Sequence, residues 1–373
     1  MKIGILTITP QIGFGGNLQA YALKTVLDEL TSSNAEVICY IKKISLPYQI
    51  HYFVKSLYRL IVKQEFVRFS IPSEYRYIGK NLDDFHKKFL NFSKKVESSK
   101  ALHNLINSSY DLVVVGSDQV WRPRYVSGIE NYFLDGVHEN VRKISYAASF
   151  GVSEWEFDEI QTSKCAKLLE NFDIVSVREA TGIKQAKDKL HYAKTVYLDL
   201  DPTMLASKAI YSKFIHTIQD GKKYIFSYIL NKDSNKFNVG NELKRELGMP
   251  LMEFNTNAEN GHVPLKQRIA PSIDDWISGI ANSEFVFTDS FHGMVFSIIF
   301  NKPFIVYINK ARGAERFISL VNILGLENRI ISCQSEFNHQ IVKTQINWKD
   351  VNNIIANWKN ETLERLKKYL GVE

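Results

Sequence analysis

The stretch Leu112-Val113-Val114-Val115-Gly116-Ser117-Asp118-Gln119-Val120-Trp121 decides the fold. Four consecutive apolar residues leave no polar face, so they read as a strand buried on both sides. Small and polar residues follow at once, as expected at the C-terminal end of a strand in an α/β sheet, where ligands gather. Working outward, strand-like runs occupy residues 2–9 and 35–40 before this strand, and 143–148, 173–177 and 195–198 after it. Helical patterns fill several gaps, at 17–30, 158–171 and 179–190. Strands that alternate with helices imply βαβ units and a largely parallel sheet. After Asp201-Pro202-Thr203 a polar, irregular stretch runs to Gly221, with the boundary near 205–221, and separates this half from a second alternation, with strands at 224–230, 250–254, 285–288 and 304–307. The reading is α/β, with two Rossmann-like domains, 1–205 and 206–350, whose parallel sheets face a cleft. A basic, largely helical insertion is expected at about 45–107 of the first. Residues 351–373 read as an amphipathic helix packing back across both domains.

A chain of 373 residues suits two cores. With 45% hydrophobic and 23% charged residues it has an ordinary globular composition. No window holds the roughly 18 apolar residues that a bilayer crossing needs, and the first residues lack the small-residue cleavage site of a signal peptide. Cys39, Cys165 and Cys333 form no CxxC pair, so they read as buried thiols in a reducing compartment, not as a zinc site or disulfide frame. The cytoplasm is the expected location, and metal-independent chemistry the expectation. The net charge of +7 is uneven, with eleven Lys/Arg against five Asp/Glu between His51 and Lys100, interleaved with aromatics such as Tyr52, Phe53 and Tyr58. This is either a solvated helical face over core aromatics or a surface that meets anionic lipid headgroups or a lipid-linked substrate. No recognition motif for nucleic acid accompanies the charge, so no such partner is expected.

Four segments carry candidate chemistry. In Thr9-Pro10-Gln11-Ile12-Gly13-Phe14-Gly15-Gly16-Asn17-Leu18-Gln19, a Gly-rich loop follows the first strand and Asn17 is suited to cap the next helix. The spacing fits neither a Walker A motif nor a dinucleotide fingerprint. Asn17 and Gln19 could hydrogen-bond a sugar or phosphate, or the segment is a tight turn only. After the strand at 112–115, Asp118 could act as a general acid or base and Trp121 could stack on a sugar face, the alternative being a structural turn. Ser149 to Gly151, at the end of the neighbouring strand, are expected to border the same pocket. Arg178 lies where strand passes to helix and could fork onto a carboxylate or phosphate, or pair with a nearby acid. Glu179 beside it suits a helix start. Finally, Thr288-Asp289-Ser290-Phe291-His292-Gly293 joins a buried strand to a helix expected from Met294. A histidine in such a polar turn, with a glycine that permits close approach, is the foremost catalytic candidate. Lys310, Arg312, Glu315 and Arg316 follow, either as a cationic group for a dianionic substrate or as a solvated helix start.

At these residues the chain resembles the polysaccharide pyruvyl transferase family. The resemblance rests on the order and spacing of Gly16-Asn17-Leu18-Gln19-Ala20-Tyr21-Ala22-Leu23, Gly116-Ser117-Asp118-Gln119-Val120-Trp121, Ser176-Val177-Arg178-Glu179, Asp201-Pro202-Thr203 and Ser290-Phe291-His292-Gly293-Met294. It implies a two-lobed, glycosyltransferase-B-like fold, as the two successive parallel sheets also suggest. It implies an enzyme that uses phosphoenolpyruvate as co-substrate, with no cofactor, and forms a cyclic pyruvate ketal across two hydroxyls of a sugar in a surface-glycan precursor, releasing phosphate. Arg178 and His292 then belong to the phosphoenolpyruvate site, and His292 and Asp118 share the proton transfers. Some members carry arginine where this chain has Ser290, so Ser290, Arg312 and Arg316 complete the donor-binding candidates. Asn17, Gln19, Trp121 and Ser149 are the acceptor-binding candidates. A lipid-linked glycan acceptor and peripheral contact with the inner face of the plasma membrane fit the basic insertion. The competing readings are a nucleotide-sugar glycosyltransferase of the same fold and a non-catalytic glycan- or membrane-binding protein.

Overall fold

The computed structural model describes residues 1–9, 12–217, 221–254, 257–308 and 313–372. Its strands are β1 (Ile3–Leu6), β2 (Glu36–Val37), β3 (Leu112–Val115), β4 (Arg142–Ser145), β5 (Val175–Val177), β6 (Val196–Leu198), β7 (Ile225–Tyr228), β8 (Leu251–Glu253), β9 (Phe285–Thr288), β10 (Phe304–Tyr307) and β11 (Ile330–Ile331). In the first half they pair in the order β2-β1-β3-β4, all parallel. Bridges Ile144–Ile174 and Ala148–Val177 then carry the sheet on to the parallel pair β5-β6. In the second half the order is β11-β10-β9-β7-β8, again all parallel. β1, β3, β7, β9 and β10 are buried along their whole length, which is why their sequences are continuous apolar runs. Each strand-like run expected from the sequence overlaps one strand of β1 to β10, with β4 starting one residue before its run. β11, two residues at a sheet edge, is too short to leave a pattern.

The halves share apolar packing. Phe14, at the start of the helix Phe14–Thr31, stacks on Trp276 of the second half with ring centroids 5.5 Å apart and a 12° interplanar angle. Burying an aromatic of this size contributes roughly 1.5–3 kcal/mol, and it pins the Gly-rich segment against the second half. The helix Trp348–Leu370 runs across both halves. Val351 joins the core over the second sheet, while Leu366 and Leu370 join the core under the first. Trp358 Nε1 donates to the Leu198 carbonyl at 3.0 Å, and Thr362 Oγ1 donates to Asp199 at 2.9 Å.

Between β2 and β3 the chain forms the helices Leu46–Ile61, Ile71–Ile78, Asp83–Phe89 and Ser99–Ser109. The stretch expected to be irregular after Asp201 holds two short helices, Pro202–Leu205 and Ala209–Ser212. Asp201 caps the first, accepting from the Thr203 N–H at 3.0 Å. The helix expected from residue 17 begins three residues earlier with Gly13 as its N-cap, and Asn17 sits within its first turn.

Candidate active site

The strand ends of both halves meet around His292. Helix Phe291–Ile299 begins sooner after β9 than the sequence suggests, because Ser290 caps it. The Ser290 hydroxyl accepts from the Gly293 N–H at 3.3 Å. Gly293 has no room for a side chain, since a Cβ would lie 2.4 Å from Thr288 Oγ1. His292 thus occupies the first turn with its ring towards the first half. Gly15 lies against that ring so closely that a Cβ there would come within 2.0 Å of His292 Nδ1. This is the physical need for glycine at the start of the helix Phe14–Thr31: close approach to the imidazole. Pro10 and Gln11 of the expected loop lie outside the described residues.

Asp201 sits behind His292 and Arg178. Its Oδ2 accepts from Arg178 Nη1 at 2.8 Å and lies 3.6 Å from His292 Nε2. Its Oδ1 is taken by the Thr203 hydroxyl at 2.7 Å and by the Thr203 N–H. Burial alone would push the Asp201 carboxyl up, but His292, Arg178 and the Thr203 hydroxyl hold it well below the usual carboxylate range. Arg178 is itself buried, with Nη2 3.4 Å from Asp118 Oδ1 and its guanidinium carbon 4.7 Å from the centroid of the Phe291 ring. Arg316, at the start of the helix Glu315–Leu324, brings Nη1 to 3.7 Å from the same Asp118 oxygen and its own guanidinium to 5.3 Å from Phe291. Burial and the charge of Arg178 lower the Arg316 guanidinium to about 10. Asp118 stands in left-handed backbone (φ 74°), its side chain 24% exposed. Burial would raise its carboxyl, but Arg178, Arg316 and His292 hold it below the ordinary value.

This arrangement is rich in unspent hydrogen-bonding capacity. Arg178 Nε, Arg316 Nε and His292 Nε2 are buried and have no hydrogen-bond partner among the described residues, the last lying 3.6 Å from Asp201 Oδ2. Buried polar atoms are nearly always paired, so these nitrogens on neighbouring residues have the chemistry to meet a ligand with acceptor oxygens.

Of the residues singled out from the sequence, His292, Asp118, Arg178 and Arg316 converge here. Arg312 and Lys310 lie outside the described residues. Ser290 spends its hydroxyl on the helix cap, and its N–H donates to Thr288 Oγ1 at 3.0 Å. Trp121 does not offer a stacking face. It is fully buried, its ring 5.0 Å from that of Phe133 and its indole N–H donating to the Tyr132 carbonyl at 3.0 Å. Gln19 is also fully buried. Its amide donates to Thr7 Oγ1 at 3.0 Å and its Oε1 accepts from the Ser117 N–H at 3.1 Å, so it braces the two loops. Asn17 donates to the Gly13 carbonyl and shares a 2.6 Å hydrogen bond with His86 Nε2 of the insertion. Ser149 donates to Glu179 Oε1 at 3.0 Å, and that oxygen also accepts from the Phe150 and Gly151 N–H groups. Glu179 therefore clamps the loop after β4 and does not cap the helix Ala180–Lys184 with its side chain. The sequence reading missed Asp201 as a site residue. The signal was present in Asp201-Pro202-Thr203 just after a strand, but an acid before proline also reads as a plain helix cap.

Two parallel sheets with a cationic cleft at their facing strand ends define a glycosyltransferase-B-like fold. Solved structures with this architecture include UDP-GlcNAc 2-epimerase from Neisseria meningitidis bound to UDP-GlcNAc, at TM-score 0.51 and 11% identity, covering 99% of this chain and 100% of that one. The S. aureus MnaA–UDP complex is alike at TM-score 0.52 and 12% identity, covering 100% of this chain and 97% of that one. At such identities the likeness is one of fold. A family model described as polysaccharide pyruvyl transferase matches residues 14–310, and the chain belongs to that family. No curated protein sequence matches it significantly.

Proposed function

We propose that the chain transfers pyruvate from phosphoenolpyruvate to two hydroxyls of one sugar, releasing phosphate. The observation that carries this reading is the convergence of Arg178 and Arg316 on the Asp118 carboxylate, with His292 beside Asp201, the acid that Arg178 also holds. Phosphoenolpyruvate bears a carboxylate and a phosphate, and two guanidiniums side by side suit such a pair of anions. The reaction adds one sugar oxygen to the enol carbon while the methylene carbon takes a proton and becomes methyl. The bond from that carbon to the phosphate oxygen then breaks, the second sugar oxygen takes its place, and its proton leaves with the phosphate. Two protons move, and none is gained or lost overall.

His292 is the group suited to move them. Its Nε2 has no hydrogen-bond partner among the described residues and faces the Asp201 carboxylate at 3.6 Å, which orients the ring. Asp118 plays a different part in the free protein. Held ionised by two arginines, it is a weak base. A donor whose anions take over those arginines neutralises them, raises the Asp118 carboxyl and frees it to accept a hydroxyl proton. The glycan acceptor is expected in a groove of about 730 Å³ lined by Ile41, Tyr48, Tyr52, Tyr75, Arg76 and His86. Its aromatic and charged side chains suit sugar faces and hydroxyls, and its floor reaches the site through His86, Asn17 and Gly15.

Incubation with phosphoenolpyruvate and candidate lipid-linked or free glycans tests the reading, with phosphate release and the mass of the sugar product followed together. His292→Ala is expected to lower turnover by about 10²–10⁴-fold while unfolding stays within about 1–2 kcal/mol of the parent. Full activity of that variant, or phosphoenolpyruvate that neither binds nor is consumed, defeats the assignment.

A further inference from the structure

The helix Leu46–Ile61 is amphipathic with its polar side turned inward. Towards the protein, the Tyr52 hydroxyl donates to Glu74, the Ser56 hydroxyl donates to the Arg68 carbonyl at 3.1 Å, and Arg59 Nε donates to Glu65 at 2.8 Å. Outward, Leu46, Ile50, Phe53, Val54, Leu57 and Ile61 follow helical spacing and form one stripe, each between 39% and 68% exposed. A surface helix of a globular protein has the opposite orientation, so this stripe is built to meet something apolar.

Charge selects the partner. From residue 37 to residue 64 there is no Asp or Glu, while Lys42, Lys43, Lys55 and Lys63 supply four exposed positive charges and Arg59 is paired inward with Glu65. Tyr48 and Tyr58, 57% and 53% exposed, flank the stripe with rings that are apolar in body and polar at the tip. Two copies meeting through this face about a two-fold axis would oppose the same lysines to one another. A lipid surface with anionic headgroups would neutralise them while its acyl boundary takes the stripe.

We propose that Leu46–Ile61 lies in the plane of an anionic bilayer. The inference stands on this helix alone and does not depend on the proposed chemistry. If that chemistry holds as well, Tyr48 and Tyr52, which line the groove, bring the groove beside the lipid surface from which a lipid-linked glycan would rise.

Flotation of the full chain with vesicles tests it. Vesicles of phosphatidylcholine containing phosphatidylglycerol are expected to bind at least about ten-fold more tightly than phosphatidylcholine alone, and added salt is expected to weaken the difference. Val54→Glu with Ile61→Glu is expected to lower binding by about ten-fold or more with the melting temperature unchanged, since both side chains are exposed. Lys55→Glu with Lys63→Glu is expected to abolish the preference for anionic vesicles, which keeps the test decisive if the first pair disturbs folding. The proposal is overturned by absence of vesicle binding, by equal binding to both vesicle types, or by binding that neither pair alters. A dimer in sedimentation velocity that Val54→Glu with Ile61→Glu dissociates would equally overturn it, because the face would then be covered by a second copy. Phosphoenolpyruvate turnover on a free glycan reads out the chemistry separately.

Discussion

Each half of the molecule ends an interior strand on a turn that carries an aspartate, and the two aspartates have opposite fates. After β9, Asp289 is sealed. Its carboxylate accepts from the Leu230 N–H at 2.6 Å, the Asn231 N–H at 3.0 Å and Lys236 Nζ at 2.8 Å, and its side chain is 2% exposed. After β3, Asp118 is 24% exposed and meets two guanidiniums no closer than 3.4 and 3.7 Å. Residue type and topological position are the same, so neither distinguishes the two. What differs is completeness: Asp289 has its partners at hydrogen-bond distance, whereas Asp118 is held loosely by Arg178 and Arg316, whose Nε atoms have no hydrogen-bond partner among the described residues. At the ligand-facing edge of an α/β sheet, a satisfied carboxylate holds loops together, and a loosely held one leaves room for a substrate.

The largest expected effect belongs to the sealed member. Asp289→Ala strands a buried ammonium and two N–H donors, and removing one partner of a buried pair costs about 3–5 kcal/mol. Urea unfolding measures it. A loss below about 1 kcal/mol would mean that Asp289 is no clamp and that the contrast fails.

Asp118→Asn is expected to act in the other currency. Turnover should fall by about 10²-fold, equivalent to about 2.7 kcal/mol, with a smaller change in unfolding free energy than Asp289→Ala gives. Because the side chain competes for Arg178 and Arg316 in the free protein, KM for phosphoenolpyruvate should fall together with kcat. A raised KM with unchanged kcat would make Asp118 a donor-binding group and remove it from the proton path. The pH dependence has a definite sign. The Asp118 carboxyl is held low in the folded protein, so the stability it contributes is present above its unfolded value of about 3.9 and is lost as pH falls towards the folded one. The stability gap between parent and Asp118→Asn should therefore narrow as pH drops below about 4.

Much of this contrast was legible in the sequence, and what was not has a physical cause. Strand alternation gave both sheets because buried parallel strands are apolar throughout, and it placed His292, Asp118 and Arg178 at strand ends. Arg316 was legible only as part of a charged cluster, since nothing local says which cation folds inward over Phe291. Trp121 and Gln19 misled for one reason: type and position allow both a ligand contact and a core contact, and only tertiary burial decides between them. The stripe on Leu46–Ile61 was in the sequence as periodicity, but periodicity does not tell which side faces the protein.

Glu179 gives the smallest expected effect and the sharpest use of the contrast. It is buried like Asp289, yet it is satisfied on only one oxygen. Oε1 accepts from Ser149, Phe150 and Gly151, while Oε2 has no hydrogen-bond partner among the described residues. Burial raises its carboxyl, and Arg178 with the three hydrogen bonds opposes this without cancelling it. The folded chain therefore holds a proton there more readily than the unfolded chain does. Stability falls as pH rises from the unfolded value of about 4.3 through the raised folded one. Glu179→Gln keeps an acceptor for the three donors and removes the buried charge. It is expected to stay within about 1 kcal/mol of the parent, with its relative stability improving as pH climbs through that window and turnover kept within a few-fold. Thermal unfolding across that pH range reads this directly. A variant that instead loses several kcal/mol at neutral pH would show that the charge itself, held against Arg178, fastens the loop after β4, and Glu179 would then belong with Asp289.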